Sequence, residues 1–179
     1  MSLHPIDRKD EVWSNIDLDR MFIFCMLDRA MPYIKVCKAF DHLDEYNLTT
    51  REGLKTVTKE ELISNLRESG FRFPVQTATF LMEFSNNTIN LRTATRDELV
   101  KNVKGIGYKL ASMFLRNTRG EEYAVMDVHT KRYLKELGYD TKDYKEMEKI
   151  FKNIAKEKNI PLYDLDMQIW QERRVKLQH

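Results

Sequence analysis

Lys109 and Asp127 are the two side chains of this sequence whose surroundings favour covalent chemistry. Lys109 closes the stretch Val103-Lys104-Gly105-Ile106-Gly107-Tyr108-Lys109, which puts it in the first turn of a helix that begins near Gly107. There it faces the positive end of the helix dipole, which disfavours the ammonium form, and a neutral amine is a nucleophile. Asp127 serves this chemistry only if its carboxylate points back at Lys109.

The stretch before Lys109 predicts an anion site. Gly105 and Gly107 flank one apolar residue, Ile106, and glycine lets a backbone turn tightly and approach another backbone closely. The free N–H groups at the start of the following helix point out of this turn. They can therefore bind a phosphate of DNA without reading the base sequence.

Each of these features also has a purely structural explanation, and the residues alone leave both explanations open. A pair of closely spaced glycines also suits an ordinary tight turn between helices. Most lysines on helices are solvated, and an aspartate at the start of a helix usually caps it and does nothing more.

The charge of the chain is nearly balanced, but its basic residues are unevenly distributed. The 179 residues carry a net charge of +2 at pH 7, which by itself does not indicate a nucleic-acid partner. Between positions 92 and 135, ten basic residues face five acidic ones, which gathers positive charge around the two glycines. The ten are Arg92, Arg96, Lys101, Lys104, Lys109, Arg116, Arg119, Lys131, Arg132 and Lys135.

Cysteine usage and hydropathy exclude several classes of protein. Cys25 and Cys37 are too few for a disulfide framework, a zinc site or a four-cysteine iron–sulfur cluster. The longest apolar run, residues 21–27, is too short to span a membrane, and no signal peptide is apparent. We therefore expect a soluble, intracellular protein.

Hydrophobic spacing and helix caps predict an all-α protein. No strand pattern of period two stands out, and the chain has six Gly and four Pro. Thr58-x-x-Glu61 and Thr95-x-x-Glu98 have the spacing of capping boxes, and Asn15 or Asp17 is expected to cap the first helix. We expect further helices from Pro32, over 75–84, 96–102, 108–117, from Asp127 to 137, over 144–156 and 161–172, and a loop over 41–50.

Residues 103–134 resemble the hairpin and the following aspartate of the helix-hairpin-helix DNA glycosylase superfamily, from Val-Lys-Gly-Ile-Gly-Tyr-Lys to Val-Met-Asp-Val-His and beyond. Arg72-Phe73-Pro74, residues 162–166 and Trp170 are similar to the archaeal-type branch of 8-oxoguanine DNA glycosylase/AP lyases. The likeness covers about residues 18–176.

This resemblance implies an all-α, two-lobed fold with the active site between the lobes. One lobe would be the central helices, residues 30–125, which contain the helix-hairpin-helix motif at 96–117. The other lobe would combine residues 1–29 with residues 126–179.

By the same resemblance the protein is a bifunctional enzyme of DNA base-excision repair. Lys109 would attack C1′ of an 8-oxoguanine nucleotide and form a Schiff base, and proton loss at C2′ would then break the 3′ phosphate bond by β-elimination. Asp127 would stabilise the positive charge that builds on the sugar. We expect a monomer whose partner is damaged double-stranded DNA. Its DNA contacts would be Lys104, Gly105, Ile106 and Gly107.

A glycosylase rotates its target nucleotide out of the duplex, so its pocket needs flat faces and hydrogen-bonding groups. Trp170 is the candidate for stacking on the base, although packing in the core explains it equally well, and Asp166 is the candidate for a polar contact. No metal bound by side chains and no other cofactor is expected. In this superfamily the hairpin carbonyls, here those of Lys101, Val103 and Ile106, can hold a cation.

Two alternatives stay open. The same fold and mechanism would suit another oxidised base, and a catalytically silent hairpin module would bind DNA alone. Two departures from the family matter here. Asp28-Arg29-Ala30-Met31 stands where many relatives carry a glutamine that fills the gap in the duplex, and Lys176-Leu177-Gln178-His179 stands where the branch ends in a lysine that helps define the base pocket.

Overall fold

The computed structural model describes residues 12–29 and 31–176, with side chains up to residue 173. Within these ranges the chain forms ten α-helices and no strand, which confirms the all-α prediction. None of these helices combines the length and the apolar character needed to cross a membrane. They are α1 (Asn15–Leu27), α2 (Tyr33–Glu45), α3 (Arg51–Leu54), α4 (Lys59–Glu68), α5 (Pro74–Ser85), α6 (Arg96–Asn102), α7 (Tyr108–Arg119), α8 (Val128–Glu136), α9 (Tyr144–Glu157) and α10 (Leu162–Lys176).

Several helices begin with the capping chemistry that the sequence predicts. At α4 and α6 the threonine hydroxyl and the glutamate carboxylate each accept a backbone N–H of the other residue, so both predicted capping boxes are confirmed. A third box, formed by Ser14 and Asp17, begins α1. The predicted cap at Asn15 or Asp17 is therefore wrong by position, because Ser14 is the cap and Asp17 is its reciprocal partner.

The predicted loop over residues 41–50 is wrong for its first half, which belongs to α2. Leu43 is fully buried there, and its packing outweighs the polar composition of the segment. The polar residues form a network with α1 instead, because Arg20 and Thr49 both donate to the carboxylate of Asp44. Arg20 lies in another helix, so the local sequence gives no sign of this arrangement.

The chain divides into two compact units, Met1–Thr118 and Arg119–His179. In the first unit α1 is deeply buried, and the ring of Phe22 packs against Phe84 of α5 and Phe114 of α7, with centroids 4.8 and 5.0 Å away. The C-terminal end of α1 lies close to the start of α7, because Lys109 of α7 contacts Asp28.

The second unit has a core of its own, formed by α8, α9, α10 and the segment before α8. Its buried members are Ala124, Met126, Leu134, Met147, Phe151, Ile154, Ala155, Leu165 and Ile169. The first unit contains α1, whereas the resemblance groups residues 1–29 with 126–179. That grouping concerns how the two units combine, so it stays a prediction.

Candidate active site

The two glycines form a tight turn between α6 and α7, and we call residues 103–107 the hairpin. The N–H of Ile106 donates to the carbonyl of Val103 over 3.3 Å. Gly105 has a φ of +85°. This is the positive φ that the third residue of a type II turn requires, and glycine adopts it without steric cost. The chain therefore contains the predicted helix–hairpin–helix.

The hairpin rests on α5 through an aromatic ring. A Cβ built on Gly105 would lie 2.8 Å from Cδ2 of Phe80, which is closer than side chains approach one another. One turn further along α5, Glu83 forms an ion pair with Lys104 over 2.9 Å. Glycine is thus required at position 105 twice, by its φ and by the contact with Phe80.

Gly107 differs from Gly105, although the sequence gives no reason to distinguish them. Its φ is not positive, and a Cβ placed there would meet no described atom within 4 Å. Its carbonyl accepts a hydrogen bond of α7 from the N–H of Ala111 over 3.0 Å. The fold does not need a glycine at position 107, and the space beside it is open to a ligand that approaches the start of α7.

The two other hairpin residues predicted to contact DNA have different environments. Ile106 is 5% exposed, so its side chain anchors the hairpin in the core and only its backbone can reach a ligand. The side chain of Lys104 is 72% exposed. Because an exposed ion pair stabilises a protein by at most about 1 kcal/mol, Lys104 can exchange Glu83 for a phosphate at little cost.

Lys109 lies in the first turn of α7, as predicted, and is paired with a carboxylate that sequence reasoning misses. Its Nζ lies 2.5 Å from Oδ2 of Asp28 and donates to the backbone carbonyl of Asp28 over 3.3 Å. Asp28 is the C-cap of α1, so the amine meets the negative end of one helix dipole. The side chain of Lys109 remains 30% exposed. No local signal marks Asp28, because 81 positions separate the two residues.

Cys25 lies next to this ion pair, one turn before Asp28 on α1, and is fully buried. Burial raises the pKa of the Cys25 thiol, and the charge of Asp28 raises that pKa further. The thiol therefore stays neutral and packs as a small apolar group. Cys25 is not a second nucleophile of this site.

Asp127 is the N-cap of α8, so the structural explanation of this residue is confirmed. Its Oδ1 accepts from the backbone N–H groups of His129 and Thr130, each over 2.8 Å. Its Oδ2 accepts no hydrogen bond from the described residues. One oxygen fixes the carboxylate and the other remains available, so capping does not exclude a catalytic role.

The segment that leads to Asp127 is anchored to α9. The hydroxyl of Tyr144 donates to the carbonyl of Ala124 over 3.1 Å and accepts from the N–H of Met126 over 3.2 Å. The buried carboxylate of Glu148 accepts from the N–H of Ala124 over 3.1 Å. These bonds place the start of α8, and with it the carboxylate of Asp127.

Asp166 and Trp170 of α10 lie in the same unit as Asp127. Asp166 is 7% exposed, and Oγ1 of Thr130 lies 3.2 Å from Oδ1 of Asp166 and 3.2 Å from Oδ1 of Asp127. The single hydroxyl hydrogen can serve one of the two carboxylates at a time, so Thr130 connects them. Trp170 is partly buried. The base contacts of Asp166 and Trp170 stay predictions.

Arg173 adds a positive charge near Asp127, which the sequence shows only as part of a basic tail. Its guanidinium forms two hydrogen bonds with Glu136, and these raise the pKa of Arg173. The charge of Asp127 raises that pKa as well, so the two groups attract each other. This attraction favours the charged form of Arg173.

The predicted cation would bind backbone carbonyls at the end of α6 and in the hairpin. Lys101 lies in the last turn of α6, where backbone carbonyls lack intrahelical partners, and Val103 keeps a lone pair beyond its bond to Ile106. Carbonyl oxygens of this kind are suitable ligands for a hard cation. The binding of a cation here stays a prediction. Among the described residues, no three His, Cys, Asp or Glu side chains are grouped so that they could hold a metal ion.

The predicted site residues thus fall into two groups. The first unit brings Lys109, the hairpin and Asp28 together, and the second unit brings Asp127 and Asp166 together. The expected approach of Lys109 to Asp127 joins the two units and stays a prediction.

Comparison with solved structures gives the class of this fold. H. pylori 3-methyladenine DNA glycosylase, 23% identical with a TM-score of 0.66, covers 78% of this chain and is itself covered to 70%, a likeness that shows the fold alone. The Methanocaldococcus jannaschii 8-oxoguanine glycosylase/lyase in complex with DNA containing 8-oxoguanine has a TM-score of 0.75 and 29% identity, over 96% of this chain and 85% of that one. The fold is that of the helix-hairpin-helix DNA glycosylases.

Sequence comparison gives the family. The profile of the family described as 8-oxoguanine DNA glycosylase matches residues 6–160. The 8-oxoguanine DNA glycosylase/AP lyase of Methanocaldococcus jannaschii is 34% identical over 142 residues, which cover 70% of this chain and 69% of that relative. This chain belongs to the 8-oxoguanine DNA glycosylase family.

The two glycines predict a pair of substitutions with different outcomes. Gly105→Ala places a Cβ at positive φ and against Phe80, so we expect the free energy of unfolding to fall by roughly 2–4 kcal/mol in urea denaturation. Gly107→Ala meets no described atom, so its stability should fall by no more than about 1 kcal/mol, the preference of a helix start for glycine over alanine.

Gly107→Ala should nevertheless weaken binding to undamaged duplex, because its methyl group enters the space that a DNA backbone would occupy. Fluorescence anisotropy with a labelled duplex measures this. Unchanged affinity of a folded Gly107→Ala variant would contradict a hairpin that grips phosphates.

Proposed function

We infer that the protein is a bifunctional enzyme of DNA base-excision repair, an 8-oxoguanine DNA N-glycosylase that also cleaves the strand at the resulting abasic site. One observation carries this proposal: in a chain of this family, a partly exposed lysine follows the hairpin with a carboxylate 2.5 Å from its amine. The relative from Methanocaldococcus jannaschii is named for the same two activities.

In the proposed reaction Lys109 is the nucleophile. Its neutral amine attacks C1′ of the damaged nucleotide, and the electron pair of the N-glycosidic bond leaves with the base, which takes up a proton. The sugar ring then opens to a Schiff base with Lys109. Loss of the C2′ proton expels the 3′ phosphate and breaks the strand. The carboxylate of Asp28 is the acceptor beside the amine for the proton that Lys109 must first lose.

Asp127 is the proposed stabiliser of the positive charge that develops on the sugar as the base departs. Its capping bonds support this role, because they hold the carboxylate in one orientation through Oδ1 and leave Oδ2 unengaged by the described residues. A group that is already oriented needs no reorganisation when the charge appears.

The remaining assignments follow from the same reaction. We propose that Lys104 and the backbone of the hairpin hold the phosphates, and that Trp170 and Asp166 contact the extruded base. The substrate is damaged double-stranded DNA, the enzyme acts as an intracellular monomer, and the hairpin carbonyls supply the site for a cation.

The first test is covalent trapping with borohydride, which reduces a Schiff base to a stable bond. We expect the wild-type protein to form an adduct with a duplex that contains 8-oxoguanine, and Lys109→Gln to form none, because the glutamine amide is not a nucleophile. Lys55→Gln is the matched control, since Lys55 pairs with Glu52 over 2.7 Å on the surface.

A panel of duplexes with other oxidised bases separates the alternatives in the same assay. Adduct formation with another lesion but not with 8-oxoguanine would make the base assignment wrong. Salt-sensitive binding without an adduct on any lesion would favour a catalytically silent DNA-binding module.

Asp127→Asn should separate capping from catalysis. Asparagine caps a helix as well as aspartate does, so we expect unchanged stability and DNA affinity, whereas single-turnover base release should slow by at least about 100-fold. Asp143→Asn is the control, because Asp143 caps α9 in the same manner. Equal loss of binding and turnover in Asp127→Asn would mean that the residue mainly builds α8.

Asp28→Asn should show whether the partner of Lys109 takes part in the reaction. The amide cannot take up the lysine proton, so we expect trapping to slow by about tenfold with little change in DNA affinity. Glu52→Gln breaks the exposed pair with Lys55 and should change neither quantity. An unchanged or faster rate in Asp28→Asn would mean that Asp28 only restrains Lys109 before DNA binds.

A further inference from the structure

Arg29 follows Asp28 at the end of α1, and its guanidinium lies against the ring of Phe80, on which the hairpin rests. Its Cζ lies 4.5 Å from the centroid of the Phe80 ring. The same ring touches Gly105 of the hairpin. Arg29 and the hairpin therefore contact the same ring. The preceding residue, Asp28, is paired with Lys109.

The guanidinium of Arg29 has no anionic partner among the described residues. Its described contact is the face of Phe80, and it neither donates a side-chain hydrogen bond nor pairs with a carboxylate there. Burial lowers the pKa of Arg29, and no neighbouring negative charge offsets that effect. Burying part of a charged guanidinium without a partner costs free energy, and a bound anion would offset that cost.

Two other partly buried arginines of the same unit are paired with carboxylates. Arg20 is paired with Asp44, and Arg51 is paired with Asp19 while it also donates to two backbone carbonyls. Arg29 is partly buried as they are, but it lacks such a partner among the described residues.

We propose that Arg29 binds a phosphate of the damaged DNA, on the same side of the molecule as the hairpin and next to Lys109. This inference rests on the proposed function. The N–H groups of a guanidinium form a planar fork, and that fork matches two oxygens of a phosphate. The hairpin amides offer the neighbouring phosphate contacts, so the DNA backbone passes close to Arg29.

The test compares Arg29→Ala with Arg67→Ala, which removes the same charge from an exposed position of α4. Dissociation constants are measured by anisotropy over a series of NaCl concentrations, for undamaged duplex and for duplex with 8-oxoguanine. We expect Arg29→Ala to weaken binding of both duplexes by about 5- to 20-fold and to reduce the slope of log K against log salt by about one. Arg67→Ala should stay within about twofold of the wild type.

Arg29→Lys and Arg29→Gln keep the test decisive if Arg29→Ala fails to fold. Both lack the fork, but only lysine retains the charge, so the salt slope should stay near the wild-type value for lysine and fall for glutamine. Equal slopes in these two variants would overturn the phosphate contact.

Two further outcomes are distinguishable. A loss of affinity in Arg29→Ala that appears with only one base opposite the lesion, at an unchanged salt slope, would assign Arg29 to a base edge and overturn the phosphate contact. If the wild type neither binds nor excises, the proposed function itself fails. If the wild type is active and Arg29→Ala behaves like Arg67→Ala, only the inference on Arg29 fails.

Discussion

The close approach of Phe80 to Gly105 is the constraint on which the candidate site depends. No residue with a Cβ fits at this point, because the ring occupies the space and the backbone has a positive φ. The contact fixes the hairpin on α5, and the hairpin fixes the start of α7 and therefore Lys109. The same ring also lies against Arg29, at the end of α1. One phenylalanine thus sets the positions of three segments that are distant in sequence.

Each of the two units carries one half of the proposed chemistry, and each orients its half with its own bonds. In the first unit Asp28 holds the amine of Lys109. In the second unit Tyr144 and Glu148 anchor the segment before α8, and capping bonds hold the carboxylate of Asp127. Rigid support of this kind reduces the reorganisation that catalysis would otherwise require.

The features that the sequence predicts well are those with a local cause. The capping boxes at Thr58 and Thr95, the turn at Gly105 and the cap at Asp127 each depend on residues within a few positions of one another. Asp28 beside Lys109 depends on contacts between distant helices, so the local pattern does not contain it. The different roles of Gly105 and Gly107 stay hidden for the same reason, because the ring that distinguishes them lies on α5.

The buried thiol of Cys25 has a consequence for the conditions in which such an enzyme works. Oxidised bases arise where oxidants are present, and thiolates are the protein groups that oxidants attack first. Both cysteines of this chain are buried and form no disulfide, and burial raises the pKa of Cys25, which lies beside Lys109 and Asp28. The fold therefore shields its most oxidisable atoms from the agents whose damage it would repair. Slow reaction of Cys25 with a thiol reagent would report how often α1 separates from its neighbours.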